Sequence, residues 1–393
     1  MMIQIASVVF SYYPADPRPR REAEALVEAG MSVDVFCLRR PNEQPEEKVN
    51  GVRVFRLPII RTRSLKFRYL WEYGWFILLA FLKLSKLHIV KNYHLVHVHN
   101  MPDVLVFCAL LPRLWNAKII LDLHDPMPEL YMTKYQIGAS HPVIRFLRFL
   151  ERRSIRFADL VLTPNLAFRD LFISRGCSEE KIHIVMNSPQ ETLFKDGSTS
   201  PIRFNPERFV IMFHGLIAER SGLDTALEAI QHIRREIPNL RFEVYGEGDF
   251  VKPFLVKIEE LNLQSVVHYY GYRSQEIIAQ IIQTIDLGII SNKMSPFTRL
   301  NLPTRIFEYL SMSKPVVAPR TKGILDYFGP DSLYFFESDD PQSLADVLLQ
   351  VYRNQTQRQE ILQRGRKVLH AYRWELQRKY FIDVVRNLFK ENR

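Results

Sequence analysis

Phe209-Val210-Ile211-Met212-Phe213-His214-Gly215-Leu216-Ile217-Ala218-Glu219-Arg220-Ser221-Gly222 decides the fold. An apolar run, 209–213, ends in a loop bounded by Gly215 and Gly222 and passes into an amphipathic stretch, 223–236. A second such run, 241–245, follows and ends in Gly246-Glu247-Gly248. Strand, loop, helix and strand in that order make a βαβ unit, whose two strands lie parallel. Downstream the alternation continues, with helices at 251–261, 275–284 and 304–312 and strands at 266–270, 287–290 and 315–318. Two long helices, 341–355 and 359–390, close the chain.

Upstream lies a second series of the same kind. Strands are expected at 3–10, 32–38, 52–57, 95–98, 118–122, 160–163 and 182–186, and helices at 20–29, 66–89, 104–115 and 142–158. The polar stretch 191–206 reads as a linker. The expected architecture is therefore α/β, with two Rossmann-like domains facing across a cleft. The first spans 1–195 and the second 205–374, and the last helix, about 375–393, packs back on the first. In such folds ligands bind at the carboxyl ends of the strands.

Composition narrows the function. With 393 residues, 47% hydrophobic and 24% charged, the chain is neither disordered nor fibrous. Cys37, Cys108 and Cys177 are far apart, so a disulfide framework or a cysteine zinc site is not expected, and a reducing, cytoplasmic setting is. The N-terminal residues lack a charged flank and a cleavage site, and read as a first strand rather than a signal peptide. The net charge of +10 is concentrated, because residues 51–100 hold nine basic residues and one acidic. A nucleic-acid partner would ask for basic side chains over a whole face, so none is expected. The stretch from Arg53 to Lys91 also carries Phe67, Trp71, Trp75, Phe76 and Phe81. That mixture suits an interfacial segment on an anionic membrane, peripheral on its inner face, and 144–157 with five arginines extends it. It equally suits a core helix with a solvated charged face. The most apolar run, 75–82 within 69–84, falls short of the ~20 residues of a spanning helix.

Five clusters could carry chemistry. The loop 214–222 offers backbone N–H groups, Gly215 for close approach and Arg220 for a phosphate; it could also be a plain strand-to-helix turn. Gly246-Glu247-Gly248 lacks the third glycine of a dinucleotide fingerprint and could hold a base or ribose, or simply turn the chain. Pro303-Thr304-Arg305 opens a helix in which the Glu308 carboxylate could accept two ribose hydroxyls, or pair with Lys314 on the surface. His97-Val98-His99-Asn100 and Asp122-Leu123-His124-Asp125 stand at expected strand ends. They lack a helical metal-binding pair and suit hydrogen bonds to sugar hydroxyls or backbone. Asp16-Pro17-Arg18-Pro19-Arg20-Arg21 could meet an anion, or form a solvated helix start.

In order and spacing these segments resemble glycosyltransferase family 4, the retaining nucleotide-sugar enzymes of GT-B fold. The likeness covers nearly the whole chain and includes Ala158-Asp159-Leu160-Val161-Leu162-Thr163, Met186-Asn187-Ser188-Pro189, Glu219-Arg220-Ser221-Gly222-Leu223-Asp224 and Lys314-Pro315-Val316-Val317-Ala318. It implies a UDP- or GDP-sugar donor in the second domain, held by Gly215, Arg220, Gly246, Gly248, Tyr272, Arg305 and Glu308. It implies His124, Arg220 and Glu308 as the catalytic set, and Asp16, Arg18, Arg21, His99, Asn100 and Asp125 on the acceptor side. No metal or separate cofactor is implied, because protein cations and helix dipoles stabilise the leaving diphosphate. The implied acceptor is a glycan or a lipid-linked precursor. The family often carries basic residues where Leu216 and Ser221 stand, and a first glutamate where Leu300 stands. The shared two-domain fold keeps open a nucleotide-sugar 2-epimerase, and those departures keep open a non-catalytic nucleotide- or membrane-binding protein.

Overall fold

Runs of Val, Ile, Leu and Phe without polar alternation belong to strands buried on both faces, and they form two sheets. The computed structural model describes residues 2–59, 68–194 and 208–390. The chain divides into two units, Met1–Met186 with Gln377–Arg393, and Asn187–Leu376.

The first unit holds β1 (Gln4–Val9), α1 (Pro17–Glu28), β2 (Ser32–Leu38), β3 (Glu46–Val49), β4 (Val52–Leu57), α2 (Arg68–Lys91), β5 (Leu95–His99), α3 (Leu110–Leu114), β6 (Lys118–Asp122), α4 (Met127–Tyr135), α5 (Pro142–Phe157), β7 (Leu160–Thr163), α6 (Leu166–Ser174) and β8 (Ile182–Ile184). Its eight strands run in the order β3-β4-β2-β1-β5-β6-β7-β8. The described pairings are parallel except β3 with β4. β3 is Glu46-Glu47-Lys48-Val49, an edge strand with charged side chains, and its lack of apolar alternation hides it from a sequence reading.

The second unit begins with β9 (Phe209–His214), α7 (Leu223–Ile233), β10 (Leu240–Tyr245), α8 (Val251–Glu260), β11 (Val267–Gly271), α9 (Gln275–Ile282) and β12 (Leu287–Ile289). It continues with α10 (Thr304–Ser311), β13 (Val316–Pro319), α11 (Lys322–Leu325), β14 (Tyr334–Phe336), α12 (Pro341–Arg353) and α13 (Gln355–Ala371). Its six parallel strands run in the order β11-β10-β9-β12-β13-β14. Phe209, Ile211, Phe213, Phe242, Leu227 and Leu348 pack in its core. In both sheets the order reverses beside the first strand, between β1 and β5 and between β9 and β12. Connections leave to opposite faces there, and in such sheets ligands bind at the strands' carboxyl ends beside that reversal.

Three expected elements change form. The helix expected at 104–115 is a 3₁₀ segment, Asp103–Ala109, followed by the short α3. Pro112 lacks an N–H, and its ring crowds the carbonyl four residues earlier, so a regular helix cannot run through. The single closing helix is two, α13 and α14 (Trp374–Asn387), broken at Tyr372 and Arg373. From Gln377 onward α14 belongs to the first unit, where the Met186 N–H donates to Gln377 Oε1 at 3.0 Å and Tyr380 Oη lies 2.8 Å from His183 Nδ1.

The third change is α2. It runs 24 residues, and Trp71–Lys91 is long and apolar enough to cross a membrane by length and composition, which corrects the shorter span expected from 75–82. One face is nonetheless committed, because Tyr73, Phe76, Ala80, Leu84 and His88 are buried. The basic stretch is also redistributed. Arg53 pairs with Glu46, the buried Arg56 pairs with Glu43 and Glu47, and Lys91 pairs with Asp34. Arg61, Arg63, Lys66 and Phe67 lie outside the described residues, as does 195–206 of the expected linker.

Candidate functional site

The second unit gathers expected donor residues at the carboxyl ends of β9 and β10 and on α10. The Gly215 N–H donates to Tyr245 O, Ile217 N–H to Glu247 O and Gly246 N–H to Gly271 O, each at 2.9 Å. These bonds lace together the loops after β9, β10 and β11. The lacing is so close that glycine is required: a Cβ on Gly246, whose φ is +144°, would lie 1.8 Å from Gly215 O, and one on Gly248 1.9 Å from Ile217 O. On the other side of β9, Ser291 Oγ donates 2.7 Å to Ser221 O and the Lys293 N–H donates 3.0 Å to Arg220 O. The loop carrying Arg220 is therefore held to the end of β12.

α10 presents Glu308, which is buried rather than paired with Lys314 on the surface. Its Oε2 lies 3.3 Å from His214 Nε2 at the end of β9. Burial, and then the charge of Arg305, push the His214 pKa down to about 3, so the imidazole is neutral near pH 7. Arg305 packs over the Phe213 ring and donates 2.6 Å to His214 O. That hydrogen bond makes it a brace for the strand end. Lys293 pairs with Asp224 at 2.5 Å, and Lys314 donates to Gln283 O. Arg220 lies over the Phe297 ring at 5.8 Å. Ser221, standing where the family often carries a cation, ties the loop instead: its Oγ donates to Leu216 O at 2.7 Å. Leu216 and Tyr272 are exposed and Leu300 is buried.

The first unit gathers the expected acceptor-side residues at the carboxyl ends of β1, β5 and β6. Asn100, at the end of β5, brackets the loop after β6. Its Oδ1 accepts the His124 N–H at 3.1 Å, and its Nδ2 donates to Asp125 O at 2.7 Å and Asp103 Oδ1 at 2.9 Å. His124 is half-buried with Nδ1 unpaired among the described residues, and burial lowers its pKa. Its ring centroid lies 6.5 Å from that of His99.

Beneath this loop is a buried charge cluster. Arg18 donates through Nε and Nη2 to Asp122 at 2.7 and 2.8 Å, and through Nη1 to Val185 O at 2.8 Å. Its guanidinium is thus spent within the domain, which corrects its expected contact with an acceptor anion. Asp16 caps α1 by accepting the Arg18 N–H, and Arg21 is buried beside it. Glu22 Oε2 lies 3.8 Å from His97 Nε2 and from His99 Nδ1. Burial pushes the Glu22 pKa up to about 7. Burial acts upward on Asp122 too, but Arg18 and His99 outweigh it and hold that carboxylate well below its usual range. Glu22, His97, His99 and Asp122 bring four ligand atoms within 4.8 Å, a set that could hold a metal ion. Arg18 already supplies positive charge to that set through its paired bonds to Asp122.

His214 and Asn100 are the positions whose geometry most exceeds their sequence signal. Each stands at a strand end; Asn100 is among the expected acceptor-side residues, whereas His214 enters the sequence reading only as the start of the loop 214–222.

Residues 15–188 match the family model for the glycosyl transferase 4-like domain, and residues 196–368 match that for glycosyl transferases group 1. Among curated relatives, the amylovoran biosynthesis glycosyltransferase AmsK of Erwinia amylovora is 22% identical over 199 residues, 49% of this chain and 47% of AmsK. The chain spans about half the length of the curated relatives it matches first. Among solved structures, sucrose-phosphate synthase from Thermosynechococcus elongatus aligns with a TM-score of 0.81 at 18% identity, covering 99% of this chain and all of that one. HepE of Anabaena, in complex with UDP-glucose, aligns with a TM-score of 0.73 at 16% identity, covering 98% of this chain and 100% of HepE. Two parallel-sheet units, each matched by its own glycosyltransferase domain, place this chain in the family of GT-B glycosyltransferases, a glycosyl transferase 4-like domain followed by a group 1 domain.

Proposed function

We propose that the chain moves a sugar from a UDP- or GDP-sugar to a hydroxyl of a glycan or lipid-linked precursor on the cytoplasmic side of a membrane, with retention and without a metal. The observation that carries this reading is the lacing of the loops after β9 and β10, where Gly215, Gly246 and Gly248 bring backbone close together beside Arg220 and the buried Glu308–His214 pair. Glu308 would accept ribose hydroxyls, and neutral His214 would hold its carboxylate in place through an Nε2–H. The Gly246 and Gly248 turn would lie against the base, with Tyr272 and Arg305 completing the pocket.

Cleavage of the anomeric C–O bond leaves positive charge on the sugar and negative charge on the diphosphate. Arg220 and the backbone N–H groups of its loop would stabilise the diphosphate, each such donor being worth about 10²–10³ in rate. The acceptor hydroxyl would attack from the side the nucleotide leaves, with no covalent intermediate on the enzyme. His124, held by Asn100, would contact the transferring sugar, and Asp125 the acceptor. The UDP-glucose complex of the Anabaena protein makes UDP-sugars the first donors to try.

The test is nucleoside diphosphate release from a panel of UDP- and GDP-sugars, with and without membrane extract and with EDTA. Acceptor-dependent release that survives EDTA is expected, falling about 100-fold or more in His124→Ala and Glu308→Ala. Isomerised sugar without extract would instead establish an epimerase. Nucleotide binding without turnover would establish a non-catalytic role.

A further inference from the structure

The outer face of α2 is apolar although the helix already has its core face. Trp71, Trp75, Leu78, Leu82 and Ile89 are exposed at spacings of 4, 3, 4 and 7, which keeps them on one stripe opposite Phe76, Ala80 and Leu84. Trp71 is 80% exposed and Ile89 63%. α3 continues the surface with exposed Leu110, Leu114 and Trp115, and Trp115 packs on His88 of α2 at 5.3 Å between ring centroids. α5 continues it further. α2 and α5 both pack on the 3₁₀ segment 103–109, and Arg113 of α3 lies 4.9 Å from the Phe157 ring of α5. On α5, Phe146 and Phe149 are exposed among Arg145, Arg152, Arg153 and Arg156, and an open groove runs between Arg145, Phe146, Arg148, Phe149 and Arg152.

The charge on this face has one sign. Among the described residues of α2, α3 and α5 the only carboxylates are Glu72 and Glu151, and both are buried. A protein partner would be met by mixed charge and a second copy by repulsion between arginines, whereas an anionic bilayer matches both the aromatic stripe and the guanidinium groups. The buried Phe76, Ala80 and Leu84 rule against α2 standing alone in lipid, because a helix crossing a bilayer would give up that packing.

We propose that α2, α3 and α5 form a docking surface on which the first domain lies flat against an anionic bilayer, with the tryptophans and phenylalanines at headgroup depth and the α5 arginines on lipid phosphates. The surface takes α2 from the Arg53-to-Lys91 stretch and adds α3 and α5, while Arg53, Arg56 and Lys91 are paired with carboxylates. It has a consequence for the acceptor that rests on the transfer reading. α4 begins two residues after Asp125 and packs its Met127 and Met132 with Ile144 and Leu147 of α5. A bilayer on α5 is then one helix away from the His124 loop, where a lipid-linked acceptor would present its sugar.

The test is flotation of the full chain with vesicles of phosphatidylcholine alone or with phosphatidylglycerol. Binding is expected only to the anionic vesicles and to weaken with salt. Arg145→Ser/Arg152→Ser/Arg153→Ser should lower the partition coefficient about 100-fold or more, given the usual contribution per basic residue. Trp71→Ser/Trp75→Ser should abolish flotation at any salt. These positions are exposed, so thermal melting and UDP binding should stay as in the parent, and both are measured alongside. No flotation of the parent, or flotation unaffected by both variants, overturns the proposal. A dimer in solution that the tryptophan variant dissolves, without flotation, overturns it in favour of self-association. Because flotation needs no turnover, failure of the transfer reading leaves this result intact, and the reverse also holds.

Discussion

Glu22 shows how a single buried carboxylate sets a measurable property. It sits at 0% exposure between His97, His99, Arg18 and Asp122, and burial raises its pKa from 4.5 to about 7. Between those two values the native state holds a proton that the unfolded chain has released. The unfolded state then binds fewer protons, so stability falls as pH rises through this window. Unfolding by urea at pH 4.5 and pH 7, in the parent and in Glu22→Gln, isolates the effect. The parent should lose on the order of 2–3 kcal/mol relative to the glutamine variant over that range. An equal pH dependence in both proteins would mean that Glu22 is ionised throughout. The same neighbourhood explains why Arg18 misleads a sequence reader. An Asp-Pro-Arg opening a helix looks like an anion contact, and its partner Asp122 lies 104 residues away.

At the scale of elements, the laced loops after β9, β10 and β11 make a sharper demand on sequence than the strands do. Gly246→Ala must displace the Gly215 carbonyl, 1.8 Å from the new Cβ, and must also accept a φ of +144°. Loss of at least ten-fold in UDP affinity is expected by calorimetry, with about 1–3 kcal/mol of stability. Gly74→Ala is the control. Nothing lies within 4 Å of its Cβ on α2, so it should gain up to about 1 kcal/mol and leave UDP binding alone. This contrast marks what was legible in advance. Strand ends, the Gly-x-Gly turn and the helix carrying Glu308 show in the sequence because apolar runs stop where glycine and polar residues begin. Side-chain direction does not show. Nothing local says that Arg305 turns back to His214 O, or that Ser221 ties the loop to Leu216 O. α2 is apolar on nearly every side, so periodicity could not separate its buried stripe from its exposed one. β3 lacked any apolar pattern, and Pro112 turned an expected helix into a 3₁₀ segment.

At the scale of the whole molecule, the chain divides its expected ligands between two units with separate cores. The residues proposed for the donor, Gly215, Arg220, Gly246, Gly248, Tyr272, Arg305 and Glu308, all belong to Asn187–Leu376, and those proposed for the acceptor to Met1–Met186. Nucleotide alone should therefore stabilise one unit and not the other. A ligand at 100 times its Kd adds about 2.7 kcal/mol to the unit that binds it. For a unit of nearly 200 residues that corresponds to a rise of roughly 5–10 °C in its midpoint. Scanning calorimetry with saturating UDP should separate two transitions, one moving upward and the other staying in place. Hydrogen exchange under the same conditions assigns them. Protection should rise in peptides covering 214–222, 245–250 and 291–308, and peptides covering 95–103 and 120–127 should be unchanged. The reasoning is that UDP can only protect the backbone it touches or the core that backbone belongs to. Protection appearing equally in both sets would show that UDP contacts the first unit as well. Protection confined to the first set would leave His124 and Asn100 to be engaged only when a sugar or an acceptor arrives.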